Sequence, residues 1–244
     1  MISILFRKHF LFYYTFIFTT SIFCQKSITD TNILTKFNKT LKLYSDKSYL
    51  NARTNFIALK DNPETSLVIK TNATYYEAMC AIKLNEVDAD KKVLNFVDKY
   101  PNSNKVNLAF YNVANYYFAN RKVAYALKWY NKIDFDKISQ ENRNEINFKM
   151  GYSYLIADKF TLAKGHFIHL INNPKYGNDS RYYYGYIAYK LEDYGLAEST
   201  LKEIEDNETY RIEVSYYLLD INFKAGNFKR CLVIGKELIQ DKKR

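Results

Sequence analysis

The sequence predicts an all-α protein, a solenoid of about six helix–turn–helix repeats, and three observations predict it. Only 7 Gly and 3 Pro occur in 244 residues, a scarcity that disfavours turn-rich β structure and suits long helices joined by short polar turns. The composition is 48% hydrophobic and 17% aromatic, with 24 Tyr and 17 Phe, enough to bury an extensive core. The chain also repeats itself, and self-similarity at a fixed period is the mark of a stacked array.

Residues 107–137, 144–174 and 178–208 carry the same pattern. Each has a small residue (Ala114, Gly151, Gly185) and, twelve positions later, an alanine (Ala126, Ala163, Ala197). An aromatic or Val precedes that alanine by three positions (Val123, Phe160, Tyr194). A large residue follows it by four (Tyr130, Phe167, Leu201) and an aliphatic by seven (Ile133, Leu170, Ile204). Small residues belong where paired helices approach closely, and large ones where a gap must be filled. The same spacing finds an earlier unit at Tyr49, Ala52, Phe56 and Leu59, a second at Ala89, Val93 and Phe96, and a last at Phe228, Cys231 and Leu238. Key positions 52, 89, 126, 163, 197 and 231 lie 37, 37, 37, 34 and 34 residues apart. Repeat two has a shortened turn at Asn85–Asp88, and repeat six has Leu219 where a small residue is expected.

At these positions the chain resembles the tetratricopeptide repeat (TPR), over about residues 33 to 241. The resemblance implies units stacked into a right-handed superhelix, near 33–66, 70–103, 107–140, 144–177, 178–211 and 212–244. The Tyr100-Pro-Asn-Ser103 ending and the 37-residue spacing are similar to repeats of exported, envelope-associated TPR proteins of Gram-negative bacteria.

Ahead of the repeats, Arg7 and Lys8 precede an apolar run from Phe10 to Phe23. A basic start and a run short for a bilayer span read as a secretory signal peptide over residues 1–24, followed by a linker over 25–32. Lipidation of Cys24 and an uncleaved anchor are the alternatives. The expected location is therefore periplasmic or at the outer membrane, with membrane association only through the signal or through partners.

The formal net charge is +10, but lysines are dispersed along the chain, so the sequence predicts no nucleic-acid partner. Cys80 and Cys231 sit on apolar helical stripes without metal spacing, as small core residues do. His166 and His169 lie three apart with no carboxylate or Cys placed to complete a metal site. No phosphate loop, GxSxG elbow or HExxH occurs, so no enzyme activity, cofactor or metal is expected.

In the resembled family, the first helix of each unit lines a concave groove. That resemblance implies a groove surface of Phe37, Leu41 and Tyr44 in repeat one, and of Tyr111, Asn115 and Phe118 in repeat three. Repeat four gives Phe148, Tyr152 and Leu155; repeat five gives Tyr182, Tyr186, Tyr189 and Lys190; repeat six gives Tyr216, Asp220, Phe223 and Lys224. Two readings of these rings stand: packing against neighbouring helices, or anchoring an extended peptide or amphipathic helix. Tyr182, Tyr186 and Tyr189 share one helical face opposite the Tyr184/Ala188 stripe. If they anchor a partner, their truncation weakens capture and leaves helical content intact. The expected function is a non-catalytic protein-interaction scaffold in the cell envelope; a glycan- or peptidoglycan-associated module is the alternative. The last repeat carries no capping helix, so self-association through it is expected as well.

Overall fold

The computed structural model describes residues 30–241; the signal-peptide segment lies outside the described residues. Within them the chain is helical, with twelve α-helices and no strand. Helix α1 spans residues 30–45, so residues 30–32, expected as linker, are already helical. There follow α2 (Tyr49–Asp61), α3 (Leu67–Lys83), α4 (Ala89–Lys99), α5 (Val106–Ala119) and α6 (Val123–Tyr130). A 3₁₀ turn at Phe135–Lys137 leads to α7 (Gln140–Ile156), α8 (Phe160–Ile168), α9 (Gly177–Lys190), α10 (Tyr194–Lys202), α11 (Arg211–Lys224) and α12 (Phe228–Asp241). The residues fall into two compact units that divide between Tyr116 and Tyr117, inside α5.

The spaced alanines are where the helices touch. Ala52, Ala126, Ala163 and Ala197 are fully buried, Ala89 is nearly so, and Cys231 is half-buried. Gly151 and Gly185 show why small residues are needed opposite them. A Cβ on Gly151 would lie 3.0 Å from the Phe167 ring, and one on Gly185 would lie 2.7 Å from Cγ of Leu201. The pair in repeat six is reversed, with Leu219 on α11 and Gly235 on α12. A Cβ on Gly235 would meet nothing within 4 Å, so this last pair is looser than the ones before it.

Six short turns share one device that the sequence did not advertise. Each passes through a residue of positive φ: Lys47, Asn85, Arg121, Asp158, Glu192 and Gly226. Two backbone bonds close each turn. At the fifth, Glu192 N–H donates to Tyr189 O at 3.0 Å and Asp193 N–H to Ala188 O at 2.9 Å. This six-to-one bond is the Schellman C-cap, which normally uses glycine. Five of the six positions carry a side chain, so Arg121→Gly is expected to stabilise the fold by about 0.5–1 kcal/mol, seen as a higher urea midpoint. In the second turn Ala89 lies four positions after Asn85, against five from Arg121 to Ala126. α4 begins on its alanine, whereas α6, α8 and α10 begin three residues earlier. The turn expected to be shortened at Asn85–Asp88 is therefore the longest of the six, with five residues between α3 and α4 against three in the others, and α3 ahead of it is a regular 17-residue helix.

Connections between one pair and the next use a second device. Side-chain oxygens of Asn62, Asp134, Asn173 and Asn207 accept the backbone N–H two residues on, at 2.9–3.0 Å. These Asx turns replace the bonds that helix ends leave unmade. Pro63, Pro101 and Pro174 lie in the same connections, where no N–H is required of them.

In the N-terminal unit the core is built from Ile33, Phe37, Ala52, Phe56, Leu59, Ala73 and Cys80. For Phe37, of the two readings open to it, packing applies: it is buried, edge-on to Phe56 at 6.0 Å, while Leu41 and Tyr44 pack on the same cluster. The reason is Tyr76, which stacks on Phe56 at 5.3 Å and meets Tyr44 edge-on at 5.2 Å, closing the face from α3. Glu77 ties three helices together, with Lys60 Nζ at 2.7 Å and Lys92 Nζ at 3.8 Å. Burial pushes the Cys80 thiol up to about 12, so it stays protonated and behaves as a small apolar residue.

Candidate functional site

Of the residues expected to line a groove, Tyr111 lies on α5 in the N-terminal unit, half-buried. Those from Phe118 onward lie in the C-terminal unit and fall into two groups. The first group is packed. Phe118 meets Tyr152 edge-on at 6.1 Å, and Tyr152 meets Tyr183 at 5.7 Å. Phe148 packs edge-on to Phe167 at 5.9 Å and stacks on Tyr176 at 5.0 Å. Tyr182 stacks on Tyr210 at 4.4 Å, with rings 16° apart. These rings run from helix to helix and hold α5, α7, α8, α9 and the start of α11 together, as edge-on and offset pairs do.

Tyr186 and Tyr189 belong partly to this framework. Both meet Tyr217 of α11, at 5.7 and 5.0 Å, and Tyr189 also meets Tyr194 of α10 at 5.9 Å. The Tyr189 hydroxyl donates to Asp220 Oδ2 at 2.7 Å. Burial pushes the Tyr217 phenol up to about 12, so at neutral pH its hydroxyl stays protonated. Lys190 is exposed, with its ammonium 6.0 Å from the Tyr186 ring.

The second group is open. On α11, Ile212 is 46% exposed, Tyr216 47% and Phe223 62%, an i, i+4, i+11 stripe on one helical face. Phe223 meets Phe228, itself 60% exposed, edge to face at 5.7 Å. Beyond it, Leu232, Val233 and Ile239 of α12 are also exposed. Where α12 has Val233, two after the key position, the earlier second helices have Thr54, Lys91, Lys128, Gly165 and Ser199. One solvated position of the earlier units is thus apolar in the last one, and exposed apolar surface of this kind marks an interaction site.

No protein-family model matches the sequence. No curated protein matches it either. Solved structures do match. The C-terminal part of a TPR repeat-containing protein from Cytophaga hutchinsonii is 16% identical, with a TM-score of 0.57 over 84% of this chain and 78% of that one. A tetratricopeptide repeat protein from Parabacteroides merdae is 11% identical, with a TM-score of 0.53 over 85% and 79%. MamA AMB-1 is 12% identical, with a TM-score of 0.54 over 74% and 93%. The fold is that of a tetratricopeptide repeat protein. On a TPR scaffold the packed rings of α7 and α9 set the spacing of first helices, and the open stripe of α11 is presented on that frame.

Among the described residues no group of His, Cys, Asp or Glu is arranged to hold a metal ion, and no helix is long and apolar enough to cross a membrane. His166 is half-buried on α8. It stacks on Tyr154 at 5.5 Å and bonds Asn147 at 3.0 Å through Nδ1. Burial, with a smaller push from His169, holds its pKa below the ordinary value of 6.5. As pH falls, the unfolded chain therefore takes up this proton before the folded one does, and stability drops below about pH 6.5. Urea midpoints at pH 7.5 and 5.5 are expected to differ less for His166→Phe, which keeps the ring stack, than for the unmodified protein.

Proposed function

We propose that this protein is a non-catalytic interaction scaffold of about six TPR units, exported to the cell envelope, that holds a segment of a partner protein. The observation that carries this reading is the open Ile212, Tyr216 and Phe223 stripe on α11, continued by Phe228. Apolar side chains at i, i+4 and i+11 suit an amphipathic helix or an extended peptide, with the Tyr216 and Phe223 rings as anchors and the Tyr216 hydroxyl as an adaptable donor. Tyr186, Tyr189 and Lys190 extend the surface from α9, and Phe118, Phe148, Tyr152 and Tyr182 serve it as its frame. Export rests on the basic start and apolar run of residues 7–23, and places the scaffold in the periplasm or on the inner face of the outer membrane. The apolar positions of α12 give the same scaffold a second contact face, suited to self-association.

Co-purification from native envelopes tests the reading. Protein clients that stay bound after glycan-digesting enzymes, and are lost from Tyr216→Ala, support it. Retention of the purified protein on isolated cell wall without other proteins overturns it in favour of a glycan-associated module.

A further inference from the structure

Beside the open stripe, three helices of the C-terminal unit converge on the ammonium of Lys224. Its Nζ lies 4.8 Å from the centroid of the Tyr194 ring and 5.1 Å from that of Tyr189. Asp220 Oδ2 is 2.8 Å away and the Tyr194 hydroxyl 3.2 Å away. The two rings stand at 60° to each other, so their faces form a corner. Behind them Ala188, Ala197 and Ile221 make a buried apolar floor. Tyr189 is fixed by its bond to Asp220, so the corner has a rigid wall and a rigid acid.

Two other Lys–Tyr contacts among the described residues lack part of this set. Lys190 occupies the equivalent place one repeat earlier, but the matching neighbours there are Leu155, Phe160 and Tyr186, with no carboxylate. Lys105 has two rings, Tyr75 and Tyr76 at 4.9 and 5.3 Å, and burial lowers its pKa. At Lys224 the shift is upward, caused first by the bond to Asp220, while Asp220 is held below the usual carboxylate range by Lys224 and Tyr189. Aromatic faces attract cations through their quadrupole, and a carboxylate in the same corner adds a fixed countercharge.

We propose that Tyr189, Tyr194 and Asp220 form a binding site for an alkylammonium group, such as a partner's lysine tip, and that Lys224 is its internal stand-in. The proposal rests on the reading that this face holds a partner, since it names the chemistry of one anchor of the bound segment. Lys224 reaches the corner from its own helix through a flexible four-carbon stem and half its side chain is in water, so it can swing out as a ligand's ammonium enters. Self-occupancy makes the site weak in isolation and effective only for a segment that also engages the neighbouring rings.

The test is an NMR titration of the ring signals of Tyr189 and Tyr194 with n-butylammonium chloride, with sodium chloride as the ionic-strength control. Lys224→Ala is expected to show saturable shifts with a midpoint at least tenfold lower than the unmodified protein. Adding Tyr194→Leu or Asp220→Asn to that variant is expected to abolish saturation, with helical content by circular dichroism unchanged. A Lys224→Ala protein that binds no more tightly than the original overturns the site and leaves Lys224 a staple between helices. So does saturation that survives Tyr194→Leu. Saturable binding by a protein that captures no partner would keep the site and sink the scaffold reading, so the two fail separately.

Discussion

Replacing Gly185 with valine is expected to destabilise the protein by about 3 kcal/mol, at the upper end of what overpacking costs. A single added Cβ would already sit 2.7 Å from Leu201 Cγ and 2.8 Å from Cδ2. Leu201 is fully buried among Ile204, Val214, Leu218 and Ile234, so it has no free direction in which to retreat. The helices must separate, and the core of the C-terminal unit loosens with them. Gly235→Ala is the control. It is also a helical glycine, but its Cβ would enter open space, so the gain in helix propensity goes unopposed and stability should rise by about 1 kcal/mol. Urea denaturation of the two variants beside the parent checks both signs. Equal effects would show that the small-residue positions do not mark close helix contacts.

This contrast also shows what the sequence could and could not reveal. Gly185, Gly151 and the spaced alanines were legible because a helix crossing tolerates only small residues, and the demand recurs at fixed spacing. Phe37 was left between packing and anchoring because the spacing gives its helical face but not the ring of Tyr76 that closes over it from α3. The same ambiguity runs through the C-terminal unit. Phe148 and Tyr216 hold equivalent positions, yet Phe148 is packed against Tyr176 and Phe167 while Tyr216 is open. Periodicity cannot tell a covered aromatic face from an uncovered one, since core and recognition draw on the same rings. The left-handed turns were hidden for another reason. Lys47, Arg121, Asp158 and Glu192 stand where glycine would have signalled them. The Lys224 corner was half legible, as an i, i+4 pair with Asp220; its rings come from two other helices.

The second large effect concerns binding. Tyr216→Ala with Phe223→Ala is expected to weaken partner affinity about 100-fold, from two anchors each worth about 2 kcal/mol with incomplete additivity. Phe223 is 62% exposed and Tyr216 47%, so stability should change far less than affinity, by about 1 kcal/mol or less. Tyr152→Ala is the opposite case: its ring joins Phe118 to Tyr183, and its loss should lower stability first. Tyr186→Ala with Tyr189→Ala falls between, because both rings support Tyr217 and Tyr189 holds Asp220. A Tyr216/Phe223 variant that binds as tightly as the parent would move the site elsewhere.

The most direct test of a scaffold that holds its partner on α11 is site-specific photocrosslinking in the native envelope. A photoreactive residue is placed at 216 or 223, and for comparison at Tyr125 or Leu162, which are exposed on α6 and α8. The account predicts a discrete protein adduct from positions 216 and 223 and none from 125 and 162. Adducts of equal yield from all four positions, or none from any, would contradict it.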